Sequence, residues 1–111
     1  MSTKYNLNKF LFIVLFAFSC THSPKQNILT QALNYEKKSM WRESKALFKK
    51  ILKKHPGHFI ATKYLGIISF HTGEYKKSIL YLKKILRKSP NDFKANYYLA
   101  ESYRLKKNLY W

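Results

Sequence analysis

Acidic residues are scarce in this chain. Five Asp/Glu stand against 22 Lys/Arg in 111 residues, a formal net charge of +17. Glu36, Glu43, Glu74, Asp92 and Glu101 are scattered singly, so the sequence offers no carboxylate pair for acid–base work. Cysteine is scarcer still. Cys20 alone permits no internal disulfide and no cysteine-based metal site. His55 and His58 flank Pro56-Gly57 with no third ligand in view, a weak metal signal, and such loop histidines are expected to be simply solvated. Three glycines leave no phosphate-cradling loop, and no nucleophile–base constellation is visible. Neither catalysis, a cofactor nor a bound metal is expected. No strand pattern is visible either. Phe10–Phe18 is a continuous apolar run, but it has half the ~20 residues that a membrane-crossing helix needs.

What the chain does contain is a repeat of 34 residues. Pro56 and Pro90 are one period apart. Lys49-Lys50-Ile51-Leu52-Lys53-Lys54 answers Lys83-Lys84-Ile85-Leu86-Arg87-Lys88. Phe59 answers Phe93, Ala61 answers Ala95, Tyr64 answers Tyr98 and Leu65 answers Leu99. An aromatic, a small residue and a proline recurring at this period are the mark of stacked helix–turn–helix units. Such stacks present surfaces, which tilts the function toward binding.

From Asn27 onward apolar residues recur at spacings of three and four. Ser39-Met40, Pro56-Gly57, Thr72-Gly73 and Pro90-Asn91 punctuate them. Five helices are predicted, at about 27–38, 42–54, 59–71, 75–88 and 93–107. The middle unit resembles the tetratricopeptide repeat. Leu65-Gly66 fits the Leu-Gly pair of its first helix, Gly73 and Tyr75 the turn glycine and following aromatic, Ser78 the small position of the second helix, and Pro90 the closing proline. The first unit matches at Ala32, Tyr35, Trp41, Ser44, Phe48 and Pro56, with Ser39 in place of the turn glycine. The third begins with Tyr97, Leu99, Ala100 and Tyr103. The resemblance implies an all-α fold of stacked antiparallel helix pairs, a solenoid of about two and a half repeats over 27–111. It also implies a protein partner and a scaffold role. The apolar end Leu109-Tyr110-Trp111 is left three readings: it folds back, it docks on another chain (self-association included), or the product is truncated.

Residues 1–19 read as a targeting segment, with Lys4 and Lys9 ahead of the short apolar run. Phe16-Ala17-Phe18-Ser19-Cys20 resembles the end of a bacterial lipoprotein signal, in which a small residue precedes a cysteine that is lipidated after cleavage. Ser19 fits the small position. Phe18 departs from it, because a small residue is usual there. The resemblance implies a signal peptide at 1–19, a lipidated Cys20, a polar tether through residue 26, and export to a bacterial membrane in the cell envelope. An ordinary secretory signal with an incidental cysteine and an uncleaved anchor are the alternatives. Without Lys4 and Lys9 the net charge is still strongly positive, which favours acidic partners.

In arrays of this family the first helix of each pair lines a concave groove. The resemblance puts Lys63, Tyr64, Ile67, Phe70, His71, Lys94, Tyr97, Tyr98 and Glu101 along it, and an aromatic groove with a few cations suits a peptide or helix. One subfamily clamps a peptide carboxylate with Lys, Asn and Arg at set positions. Here those positions hold Leu29, Leu33, Tyr64, Lys94 and Tyr98, so that activity is rejected. Lys49, Lys50, Lys53, Lys54, Lys83, Lys84, Arg87 and Lys88 fall on second helices and are expected on the convex face. They are open to two readings: solvated cations that favour helix C-termini, or a face for anionic lipid or acidic polymer. Nucleic acid is not expected as a partner of an exported protein.

Overall fold

The computed structural model describes residues 27–108. The leader, Cys20, the tether and Leu109-Tyr110-Trp111 lie outside the described residues. Within them the chain forms α1 (Ile28–Lys37), α2 (Trp41–Lys54), α3 (Phe59–His71), α4 (Tyr75–Lys88) and α5 (Phe93–Asn108). Every helix is within two residues of its predicted bounds. Each packs on its neighbour in sequence, and α3 also touches α5. This is the antiparallel stack that the repeat implied. No described helix is long and apolar enough to cross a membrane.

The boundaries follow from local chemistry. Asn27 caps α1 by accepting the Leu29 N–H at 3.3 Å. At the end of α1, Met40 N–H donates to Tyr35 O and Ser39 N–H to Glu36 O, each at 2.9 Å. The end of α3 repeats this, with Glu74 N–H on Ser69 O and Gly73 N–H on Phe70 O. This paired closure needs one residue in the left-handed region. Gly73 takes it at φ 77° and Ser39 at φ 58°. Ser39 thus does the glycine's work at a steric cost that glycine avoids.

Two cores lie on opposite sides of α3. Ala61, Leu65 and Ile68 close one with Ala32, Phe48 and Ile51. Ile67 closes the other with Leu82, Ile85 and Ala95. The α3–α4 crossing is close because position 66 has no side chain. A Cβ there would fall 2.8 Å from Leu82 Cδ2 and Cγ, and Leu82 is fully buried. Ser44 and Ser78, one period apart, are the small residues of the second helices, and both are buried. Ser44 Oγ donates to Ala32 O at 2.7 Å, and Ser78 Oγ accepts from Ser102 Oγ at 2.8 Å.

Two substitutions should move stability in opposite directions. Ser39→Gly should raise unfolding free energy, by at most about 1 kcal/mol, by removing the left-handed penalty. Gly66→Ala should lower it by about 1 kcal/mol, because overpacking against Leu82 outweighs the gain in helix propensity. Urea denaturation followed by circular dichroism measures both.

Candidate functional site

The helices α3 and α5 lie side by side in a constant register. Lys63 faces Asp92, Tyr64 faces Lys94, and Phe70 and His71 face Tyr98. One ion pair sets this register. Lys63 Nζ lies 2.6 Å from Asp92 Oδ2, while Asp92 Oδ1 accepts the Ala95 N–H at 3.0 Å. The carboxylate therefore caps α5 and ties it to α3. A matching ion pair, without the cap, joins the second helices, where Lys45 Nζ meets Glu74 Oε2 at 2.5 Å at the start of α4. Burial pushes the Asp92 carboxyl up, but hydrogen bonds from Lys63 and Ala95 outweigh it and hold Asp92 below the ordinary aspartate range. The hydrogen bond from Lys45 holds Glu74 low against a weaker desolvation.

Above these staples runs a continuous line of aromatic rings. Trp41 stacks on His71 with centroids 4.3 Å apart and planes 3° from parallel. His71 meets Tyr98 edge-on at 5.4 Å, and Tyr98 meets Tyr97 edge-on at 5.1 Å. Phe70 touches His71, Tyr98 and Tyr75 at 5.2–5.9 Å. Lys94 Nζ sits 5.5 Å over the ring of Tyr64. Phe70, Tyr64 and Tyr98 are half-buried, while His71, Lys94 and Tyr97 are exposed, Tyr97 at 54%. Burial of the His71 ring lowers its pKa, with Glu36 opposing more weakly. Burial raises that of the Tyr98 hydroxyl, and Lys94 opposes it. A rigid row of rings with amphipathic tips can bury apolar side chains of a partner and hydrogen-bond its backbone.

Not every predicted groove residue belongs to this row. Ile67 is 1% exposed and sits in the second core, so it cannot meet a partner. Lys63 faces inward to Asp92. Glu101 is held by Arg104 on its own helix, with Nη2 2.7 Å from Oε2, and that contact lowers its pKa. What remains is Tyr64, Phe70, His71, Lys94, Tyr97 and Tyr98. Trp41 and Tyr75 join them, although both begin second helices. Their signal was the aromatic that recurs one period apart just after the turn. His58 is not merely solvated: its Nδ1 accepts the Ala61 N–H at 3.2 Å and caps α3, as Asp92 does for α5.

Lys49, Lys50, Lys53, Lys54, Lys83, Lys84, Arg87 and Lys88 are all exposed, and none has an ion-pair partner among the described residues. Part of the set gathers at two repeat-related pockets, where second helices end beside the starts of first helices. Lys50, Ile51 and Lys54 line one of about 470 Å³ with Asn27, Ile28 and Leu29. Lys84, Ile85 and Lys88 line the other, of about 260 Å³, with Phe59 and Thr62.

A protein-family model described as "Tetratricopeptide repeat" matches residues 29–93. No curated protein matches the chain.

Two titrations should report this site. His71 is neutral in the fold and has a lowered pKa, so the unfolded chain takes up its proton first as pH falls. The His71 contribution is therefore full above the ordinary histidine range near pH 6.5 and declines below it. With Trp111→Phe removing the other indole, Trp41 fluorescence should fall with a midpoint below that range as the stacked imidazole gains its proton. An unshifted midpoint would refute the desolvation of the ring, and a signal that does not change with pH would refute the stack. Asp92 and Glu74 also have lowered folded values, so their contribution is full above the ordinary carboxylate range and is lost on acidification below about pH 4. Asp92→Asn should flatten that acid limb, seen in thermal melts from pH 6 down to about pH 3.

Proposed function

Because the chain belongs to the tetratricopeptide repeat family, we propose that it acts as a protein-interaction scaffold whose aromatic row seats a peptide or helix. The observation that carries this reading is the unbroken ring contact from Trp41 through His71 and Tyr98 to Tyr97. Rings already fixed by one another lose little entropy when a partner lands on them. Lys94, beside Tyr64, adds a cation for an acidic or carbonyl group of the partner.

The same reading places the repeat domain at a membrane. Lipidation at Cys20 and a short polar tether through residue 26 would hold the stack close to the bacterial envelope surface on which it is exported. Several acyl chains make such an anchor firm, at ~0.8 kcal/mol per buried methylene. A scaffold anchored in this way recruits its partner to the membrane.

A second reading is favoured by the eight exposed cations of α2 and α4 and their lack of ion-pair partners among the described residues. These could meet anionic lipid or an acidic polymer, at roughly 1 kcal/mol per well-placed cation. Salt separates the two, since an electrostatic contact is screened and aromatic burial is not.

The decisive comparison is a cross-linked pull-down of the membrane-bound protein, washed at low and high salt, beside a His71→Ala/Tyr97→Ser variant. Both residues are exposed, so the fold should survive where truncating Tyr64 or Tyr98 would open the cores. A protein that persists through high salt and disappears with the variant is the expected result. Recovery of lipid or polymer alone, removed by salt and indifferent to the variant, would replace this function with the second.

A further inference from the structure

The 34-residue period allows each surface to be compared with its own counterpart one repeat earlier. Between α4 and α5 lies an open groove of about 620 Å³, lined by Ile79, Leu80, Lys83, Leu86, Arg87 and Leu99. Leu80 is 61% exposed in it, although it is a large apolar side chain. One period back the matching positions are Lys45, Ala46, Lys49, Leu52, Lys53 and Leu65. There the apolar floor is closed, with Leu65 buried and Leu52 half-buried, while Ala46, Lys49 and Lys53 stay exposed at the rim. Tyr81 and Leu52 both pack on the cluster that holds Leu65, and Leu82 closes over Gly66. Lys45 is paired with Glu74 at the start of the arriving helix. The fold therefore displays, within itself, how an arriving helix closes the floor of such a groove and leaves its cationic rim open.

The opposite end of the stack is treated differently. The residues of α3 that face the preceding pair are Ala61, Leu65 and Ile68. Their counterparts are Asn27, the cap of α1, and Gln31 and Asn34 within it, all polar. This face of α1 is polar where that of α3 is apolar, and the α4–α5 groove keeps an apolar floor. At position 100, the counterpart of Gly66, stands another small residue, Ala100, which lets a helix approach closely.

We propose that the α4–α5 groove is a second docking site, independent of the aromatic row, which receives one amphipathic helix from an acidic protein partner. Charge selects the occupant. Lys83 and Arg87 line the groove and have no acidic partner among the described residues. Lys84, Lys88 and Arg104 are exposed on the same two helices. A second copy of this chain would bring its own +17 against them. A helix with carboxylates on its flanks neutralises that field and offers its apolar stripe to Leu80, Leu86 and Leu99. By the template of α4, its central pair is an aromatic and a leucine, the counterparts of Tyr81 and Leu82.

The probe is a labelled synthetic peptide with the α4 sequence in which every lysine and arginine is replaced by glutamate. It is titrated against the full chain, with fluorescence anisotropy as the readout. A peptide with glutamine at the same places is the neutral control. Saturable binding of the acidic peptide is expected, weaker for the glutamine peptide. Leu80→Glu should weaken it by about tenfold or more, consistent with loss of one buried leucine and a new like charge. Tyr97→Ser should leave it unchanged, which separates this site from the aromatic row. Leu80 is exposed, so the variant should fold, and circular dichroism checks that it does. Four results would overturn the proposal. They are no binding, equal binding to the Leu80→Glu variant, a concentration-dependent dimer abolished by Leu80→Glu while the peptide does not bind, and binding seen only after residues 109–111 are deleted. The last two would assign the groove to a second copy or to the chain's own end.

Discussion

The whole stack depends on α3 being buried from two sides. One flank of this helix carries Ala61, Leu65 and Ile68, the other Ile67 and Gly66, and the two flanks close different cores. A helix that is apolar nearly all round cannot stay in water, so neither repeat is complete without the other. Burying one of its leucines or isoleucines contributes on the order of 1.5–3 kcal/mol, which is large for a domain of this size. Gly66 makes this arrangement possible, because the Leu82 side chain of α4 lies closer than a methyl group permits.

Once α3 is fixed, the surface follows from it. Two ion pairs, Lys63 with Asp92 and Lys45 with Glu74, each join the start of one helix to the equivalent helix before it. These pairs use two of the five acidic residues in the chain. These two acids stand where register is decided, and the excess cations are left to the outer faces. With register set, rings from α2, α3, α4 and α5 fall into one line. The function proposed for the protein thus rests on the same contacts that hold the repeats together.

Much of this was legible in the sequence, because the period repeats each physical requirement one unit later. The helix bounds followed from turn residues and apolar spacing. Gly73 announced its left-handed turn, whereas Ser39 was marked only by its alignment with that glycine, since serine itself gives no local sign of a positive φ. Ile67 was assigned to the groove from family position alone. Spacing on α3 could not show which of its two apolar flanks faces solvent, because neither does. His58 looked like an ordinary loop histidine, and only its alignment with Asp92 marks it as a cap. Trp41 and Tyr75 were visible as a recurring aromatic, but their contact with His71 and Phe70 depends on the stacking register, which lies beyond local pattern.

The central claim is that partners meet this protein on the aromatic row. The direct measurement places a photo-crosslinking side chain at position 97, and in a separate variant at position 53, in cells that carry the full chain. The account predicts one discrete protein adduct at position 97, lost on adding His71→Ala, and none of comparable yield at position 53. An adduct confined to position 53, or one at position 97 that ignores His71→Ala, would contradict it.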